Sequence, residues 1–372
     1  MNSYKPIVIE QYVETDKVAW DDFVISHPNS NLYHLSGWKN VIEKTYGHKT
    51  YYLKALDAGN SIVGILPLVH LKHFIFGNNL ISIPYFDMCG ILANDDQTAK
   101  NLFQEAVKIG NTLKVDSIDL RHGYPINFFN EINQEDSIIN YNCDQEENLF
   151  AYEIRDQKVR MVMELPDSSD VLMKSFTSKF RNNLNRSIRE GLKCEIGGIE
   201  RLDDFYAVFA RNMRDLGSPV HSRQFIENVL NEFPEKAKIG IVYNDDNPIA
   251  CIMVIGFKNI LANPWSSALK EFRNLRANML QYWVMLEYAC DNNYAFFDFG
   301  RSSPDEGTYT FKANWGAKSI PLHWYYISKD EKTTDTASSK KTKFETAIKI
   351  WQKIPVSMTK IIGPAIRKNI SL

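Results

Sequence analysis

Cysteine is sparse and scattered. The five cysteines stand at positions 89, 143, 194, 251 and 290, with no CxxC pair among them. That spacing excludes a zinc ribbon, and the odd number argues against a disulfide framework. Small core side chains in a reducing compartment are the expectation. The eight histidines form no HExxH or facial pattern, so no metal and no cofactor is expected, and no Ser-His-Asp arrangement follows from spacing. Charge bias is missing too: 43 Lys and Arg face 45 Asp and Glu, a net charge of −2. Any binding of nucleic acid or phosphate must therefore use a local patch. No apolar run approaches the ~20 residues of a membrane span. The opening MNSYKPIVIEQYVETDK has no basic stretch followed by an apolar one, so no signal peptide is expected, and a cytoplasmic setting is.

What is present suits a large folded protein. Of 372 residues, 44% are hydrophobic and 12% aromatic, enough for two cores rather than one. The same order of elements runs twice. In the first half, PIVIEQYV reads as a strand, VAWDDFVISH and SGWKNVIEKTYG as helices, and KTYYLKAL and SIVGILPLVHL as strands. NLISIPYFDMCGIL, a helix at AKNLFQEAVKIGNTL and the strand SIDLRHG follow. In the second half LDDFYAVFARNMRDL and SRQFIENVLNEF are helical, with Asp203 and Ser222 as expected caps. KIGIVYND and PIACIMVIGF make a hairpin, and ILANPWSSAL, NLRANMLQYWVMLEYAC and YAFFDFG read as strand, helix and strand. SIDLRHG at 117–123 thus corresponds to FFDFGRS at 296–302, and Asp119 to Asp298. The pattern predicts an α/β protein with mixed sheets in two tandem domains, 1–155 and 156–328. A linker and a basic amphipathic tail at 329–372 follow.

Several constellations can carry chemistry. On a helical projection of 179–193, Lys179, Arg186, Arg189 and Lys193 fall within about 80° of each other, away from Phe176, Phe180, Leu184 and Ile188. Such a face suits phosphates, or is simply solvated. Trp265 and Ser266 end a strand and can line an acyl or sugar pocket, or close the core. Asp298, among phenylalanines, is a candidate proton acceptor, or a structural partner of Arg301 or a backbone amide. After it come Arg301, Ser302, Tyr309, Lys312 and Trp315. Arg301 or Lys312 can neutralise a phosphate or a developing oxyanion, and Tyr309 can donate to a leaving group. The alternative has Tyr309, Phe311 and Trp315 closing the core while Lys312 snorkels outward.

The order of elements, with SNLYHLSGWKNVIEKTYGH at 30–48, SKFRNNLNRSIREGL at 178–192, DLGSPVHS at 215–222 and FDFGRSSPDEGTYTFKANWGA at 297–317, resembles tandem GNAT acyltransferase-fold proteins of the Fem family. These are aminoacyl transferases that build peptidoglycan cross-bridges. The likeness is nearest to FemAB-related proteins of exopolysaccharide gene clusters, and covers roughly residues 1–328. It implies that His221 and Asp87 border a substrate cleft. A simple acetyltransferase carries a glycine-rich pyrophosphate loop where this chain has NPWSSALKEFRNLRANML, 263–280, with no glycine and with Arg273 and Arg276 instead. Fem-type enzymes likewise lack that loop.

The expected activity is transfer of an activated amino acid from an aminoacyl-tRNA-type donor to an amine or hydroxyl of a nucleotide-sugar or lipid-linked envelope precursor. Acyl-CoA-dependent N-acylation of a sugar or amino acid is the enzymatic alternative. A non-catalytic factor binding a polysaccharide or lipid intermediate is the other. The tail from 344 to 372, with Phe344, Ala347, Ile348 and Trp351 at helical spacing among lysines, fits either peripheral membrane contact or docking on the protein itself.

Overall fold

The structure is a computed structural model of the full chain. It describes residues 7–130, 138–143, 146–328 and 345–371. They fall into two compact units. One holds the described residues up to Val159, those from Ile320 to Ser328 and those from Asn369; the other holds Arg160–Ser319 and the helical tail up to Lys368.

The first unit opens with β1 (Val8–Gln11), α1 (Lys17–Ser26), α2 (Gly37–Tyr46) and β2 (Lys49–Thr50). Strands β3 (Leu53–Leu56), β4 (Ile62–Leu66), β5 (Val69–His73), β6 (Gly77–Ile81) and β7 (Leu92–Ala93) precede α3 (Asp96–Leu113) and β8 (Ser117–His122). A short turn of helix, α4 (Asn127–Asn130), then β9 (Ile138–Cys143) and β10 (Glu146–Arg155) follow. The last strand of the fold, β18 (His323–Ser328), pairs antiparallel with both β8 and β10 and belongs to this unit. The unit has a four-stranded sheet, β1-β3-β4-β7, and a seven-stranded one, β2-β5-β6-β8-β18-β10-β9. Leu102, Phe103 and Ala106 of α3 pack with Leu66, Leu80, Leu120 and Tyr325 in its core. That stripe follows the helical period of the segment.

The second unit runs β11 (Val159–Glu164), α5 (Ser169–Ser175), α6 (Ser178–Arg189), β12 (Lys193–Gly197), α7 (Leu202–Leu216) and α8 (Arg223–Glu232). Next are β13 (Ala237–Asn244), β14 (Asn247–Phe257), β15 (Ile260–Ala268), α9 (Ala277–Asp291), β16 (Phe296–Ser302), α10 (Gly307–Asn314) and β17 (Lys318–Pro321). Its sheet has the order β12-β13-β14-β15-β16-β11-β17. Helix α9 is apolar nearly all round and buried accordingly, including Leu280, Trp283, Met285, Leu286 and Ala289. Ser222 caps α8 as its position suggested, accepting from the Phe225 N–H at 3.0 Å. Asp203 is not a cap: α7 begins at Leu202, and Asp203, in its first turn, pairs with Arg223 at 2.7 Å. The tail forms α11 (345–351) and α12 (Val356–Arg367). Among the described residues no helix is long and apolar enough to cross a membrane, and no group of His, Cys, Asp and Glu could hold a metal ion.

The internal repeat is visible in the strand register. In the first unit β6 and β8 run parallel through three pairs, the last being Ile81–Asp119. In the second, β15 and β16 do the same, the last pair being Ala262–Asp298. The two aspartates therefore occupy the same station in the two units, each at the end of a three-pair parallel ladder.

Candidate active site

Beyond Ala262 and Asp298 the ladder stops, although β15 continues to Ala268 and β16 to Ser302. Parted parallel strands leave backbone groups and a crevice beyond their carboxyl ends, where α/β folds seat ligands. Three side chains fill the root of this opening. Asn263, a single amide in an apolar strand, donates from Nδ2 to the carbonyls of Met253 and Trp265, at 2.8 and 2.9 Å. Tyr282 from α9 donates to Asn263 Oδ1 at 3.3 Å and shares a hydrogen bond with Ser266 at 2.8 Å. Burial pushes the Tyr282 hydroxyl up to about 12, so it keeps its proton at neutral pH. Opposite them Gly300 takes φ +74°, a left-handed conformation glycine adopts without strain, and a Cβ there would come within 3.3 Å of the Asn263 carbonyl.

Asp298 is buried with both oxygens engaged. Arg160 Nε on β11 donates to Oδ2 at 2.7 Å, and the Gly300 N–H donates to Oδ1 at 2.8 Å. The expected backbone partner is there, but the cation is Arg160 and not Arg301. Arg160 reaches the carboxylate from β11, the strand next to β16 in the sheet. In the first unit Asp119 pairs with Arg121, two residues on and hence on its own face, at 2.8 Å.

Lys312, on α10, does not snorkel. It is buried, and its ammonium donates to the carbonyls of Gly300 and Arg301 at 3.2 and 2.7 Å. A positive charge is thereby fixed where β16 ends. Ser302 is buried with no hydrogen-bond partner for its hydroxyl. Arg301 and Tyr309 are half-buried. Trp315 is a core residue, edge-on to Phe180 at 4.8 Å and Phe176 at 5.6 Å, its indole N–H also without a partner. It lines a cavity of about 520 Å³ with Met163, Phe176, Lys179, Phe180, Asn183 and Asn314.

The basic face is shorter than the helical projection suggested. Helix α6 ends at Arg189, the chain turns at Gly191 with φ +82°, and Lys193 opens β12. Lys179, Arg186 and Arg189 stay exposed on the helix, Arg186 paired with Glu190 at 3.3 Å. Only Lys179 reaches the cavity. Of the apolar stripe, Phe176 and Leu184 are buried, while Ile188 is 51% exposed.

A second cavity of about 470 Å³ adjoins the start of α9, lined by Asn212, Leu269, Lys270, Arg273, Ala277 and Asn278 among others. Arg273 lines it; Arg276 instead caps α9 with φ +60°. A two-turn 3₁₀ segment, Lys270–Leu275, stands where a glycine loop would allow close backbone approach.

His221 is buried between Phe225, stacked at 4.5 Å, and Trp265, edge-on at 6.1 Å. Its Nε2 accepts from Arg367 Nε on α12 at 3.2 Å. Burial and that guanidinium hold it well below its ordinary value, so it is neutral. Asp87 lies in the first unit, half-buried, its carbonyl accepting from the Trp324 indole at 2.9 Å. Sequence reasoning missed Arg160, Asn263 and Tyr282. The lone amide inside ILANPWSSA was the available signal for Asn263; Arg160 lies 138 residues from its partner and carries no local one.

Residues 178–313 match the acetyltransferase (GNAT) domain family. No curated protein matches the chain. Among solved structures, FemX superposes with a TM-score of 0.63 at 14% identity, covering 85% of this chain and 96% of its own. L-PGS from Bacillus licheniformis gives 0.53 at 10% identity, covering 93% and 99%. A tandem GNAT protein from the clavulanic acid biosynthesis pathway gives 0.52 at 9%, covering 87% and 98%. At these identities the likeness is one of fold.

Proposed function

Taking the chain as a tandem GNAT-fold protein of the Fem type, with an acyltransferase domain at residues 178–313, we propose that it transfers an activated amino acid from an aminoacyl-tRNA-type donor to an envelope precursor. The precursor is nucleotide-sugar- or lipid-linked and belongs to peptidoglycan or an exopolysaccharide. The observation that carries this reading is the parted end of β15 and β16 with the Lys312 ammonium fixed beside it. An amino ester is already activated. The acceptor amine attacks its carbonyl carbon, the ester C–O bond breaks, and the ribose oxygen departs with the proton the amine gives up. The protein needs only to align the two and stabilise the tetrahedral oxyanion. Lys312 supplies that charge, and Tyr282, with its proton retained, is a donor at the root of the opening. Asp298 positions the strand end through Arg160 and Gly300. Arg301, Ser302 and Tyr309 flank this centre, while Lys179, Asn183 and Trp315 hold the acceptor. The absent glycine loop, with Lys270 and Arg273 in its stead, favours such a donor over acyl-CoA.

Incubation with charged tRNA and lipid-linked or nucleotide-linked precursors tests the reading: the expected product is the aminoacylated precursor. Consumption of acetyl-CoA without that product overturns it. Lys312→Gln is expected to lower kcat by about 10²–10³ with KM nearly unchanged, and Lys312→Arg to restore part of it. An equal loss in both variants, tracking a lower melting temperature, would assign Lys312 to structure alone.

One observation favours the acyl-CoA alternative: a cavity of about 470 Å³ opens at the start of α9, and a helix start lined by Lys270 and Arg273 can also take a pyrophosphate. Calorimetric titration with acetyl-CoA separates the two donors, weak binding being the expected result.

A further inference from the structure

The expected apolar stripe of the tail runs through Phe344, Ala347, Ile348 and Trp351, of which Phe344 lies outside the described residues. The structure turns part of that stripe inward: Trp351 is buried, and Gly217 lies so close to Ile348 that a Cβ there would clash with its side chain. The helix that follows has two opposed faces. On the inner one Thr359 and Gly363 are buried, the latter against Val220. Lys360 lies 5.5 Å from the Tyr206 ring, and Arg367 is bonded to His221. Arg214 and Gln352 tie the connecting turn down, donating to the carbonyls of Ile354 and Asp215 at 3.2 and 2.9 Å.

The outer face carries Met358, Ile361, Ile362 and Ala365, spaced i, i+3, i+4 and i+7, a continuous apolar stripe. Met358 is 53% exposed, Ile361 76% and Ile362 38%, and Ala365 is exposed as well. A helix whose inner face is anchored gains nothing within its own fold from four apolar side chains in water. The tail's charges all but share one sign. From residue 345 onward the sequence holds Lys349, Lys353, Lys360, Arg367 and Lys368 against Glu345 alone. Lys360 and Arg367 belong to the inner face, which leaves Lys349, Lys353 and Lys368 for the outer side. Lys349 on α11 and Lys353 in the turn before α12 are exposed. An apolar stripe flanked by cations matches a surface that is apolar beneath and anionic above, which is a lipid bilayer rather than a protein groove.

We propose that α12 docks the protein on an anionic membrane, with Met358, Ile361, Ile362 and Ala365 entering the headgroup–acyl boundary and the neighbouring lysines meeting lipid phosphates. The inner face stays on the protein, so docking requires no unfolding of the tail. This inference stands independently of the acyl-transfer reading.

The full chain is mixed with phosphatidylcholine vesicles with and without phosphatidylglycerol, and binding is measured by flotation. Binding is expected only to the anionic vesicles and is expected to fall with added salt. Ile361→Ser with Ile362→Ser is expected to weaken it by at least about thirtyfold, and Lys353→Ala by about fivefold. Because these side chains face outward, the melting temperature should not change. Equal binding to both vesicle types, or binding untouched by the double variant, overturns the proposal. So does a concentration-dependent dimer in light scattering that the double variant abolishes, since the stripe would then belong to a second copy.

Discussion

Arg160→Ala is expected to destabilise the second unit by about 3–5 kcal/mol, the usual cost of leaving a buried charge without its partner. The Asp298 side chain is 5% exposed and that of Arg160 17%, so water cannot take the place of the guanidinium. What remains to the carboxylate is the Gly300 N–H alone. In a unit of this size the loss corresponds to a melting temperature lower by about 10 °C. The double variant Arg160→Met with Asp298→Asn keeps an acceptor for Gly300 and removes the stranded charge, so it should recover most of the stability. A fall below about 1 kcal/mol in Arg160→Ala, by urea denaturation, would show that the pair is hydrated and that β16 is not held this way.

The second large effect is acid sensitivity. His122 is fully buried, and burial, with His34 and His323 nearby, lowers it to about 3. His221 is lowered for the reasons given above. A base whose folded pKa is depressed stays neutral in the folded protein and charges on unfolding. Its contribution is complete above the unfolded value of about 6.5 and is lost as pH falls below it. Between pH 7 and pH 5 His122 should cost the first unit roughly 2 kcal/mol, and His221 should destabilise the second in the same direction. Denaturation curves at pH 7, 6 and 5 measure this. His122→Gln should flatten the dependence in the first unit and leave the second steep. A stability unchanged down to pH 5 would mean that one or both rings are protonated in the folded state.

Much of the fold was legible because its signals are local. The helical period of α3, the Ser222 cap and the Asp245–Asp246 turn of the β13–β14 hairpin lie within a few residues of what they determine. So does the match of Asp119 with Asp298, each carried by a short strand after a long helix. The site was legible in part. Lys312 and Asp298 were singled out, but their surroundings depend on side-chain direction and on residues distant in sequence. Lys193 was grouped with α6 because a helical projection has no means of ending a helix; Gly191 ended it. The inner and outer faces of α12 could not be told apart from periodicity, since Thr359 and Gly363 are small and look no more buried than the isoleucines beside them.

The place of β18 has a consequence for how the protein is made. Strands β8 and β10 do not pair with each other; the strand between them arrives from residues 323–328. During synthesis the N-terminal half therefore emerges with two open strand edges and keeps them until almost all of the second half has been translated. Open edges recruit whatever strand is at hand, including those of neighbouring nascent chains. A ribosome stalled anywhere between the two halves would hold an incomplete sheet, and expression of residues 1–155 alone would give a protein missing a central strand. Domain duplication usually yields halves that can mature one after the other; here the first half to be made is among the last to be finished.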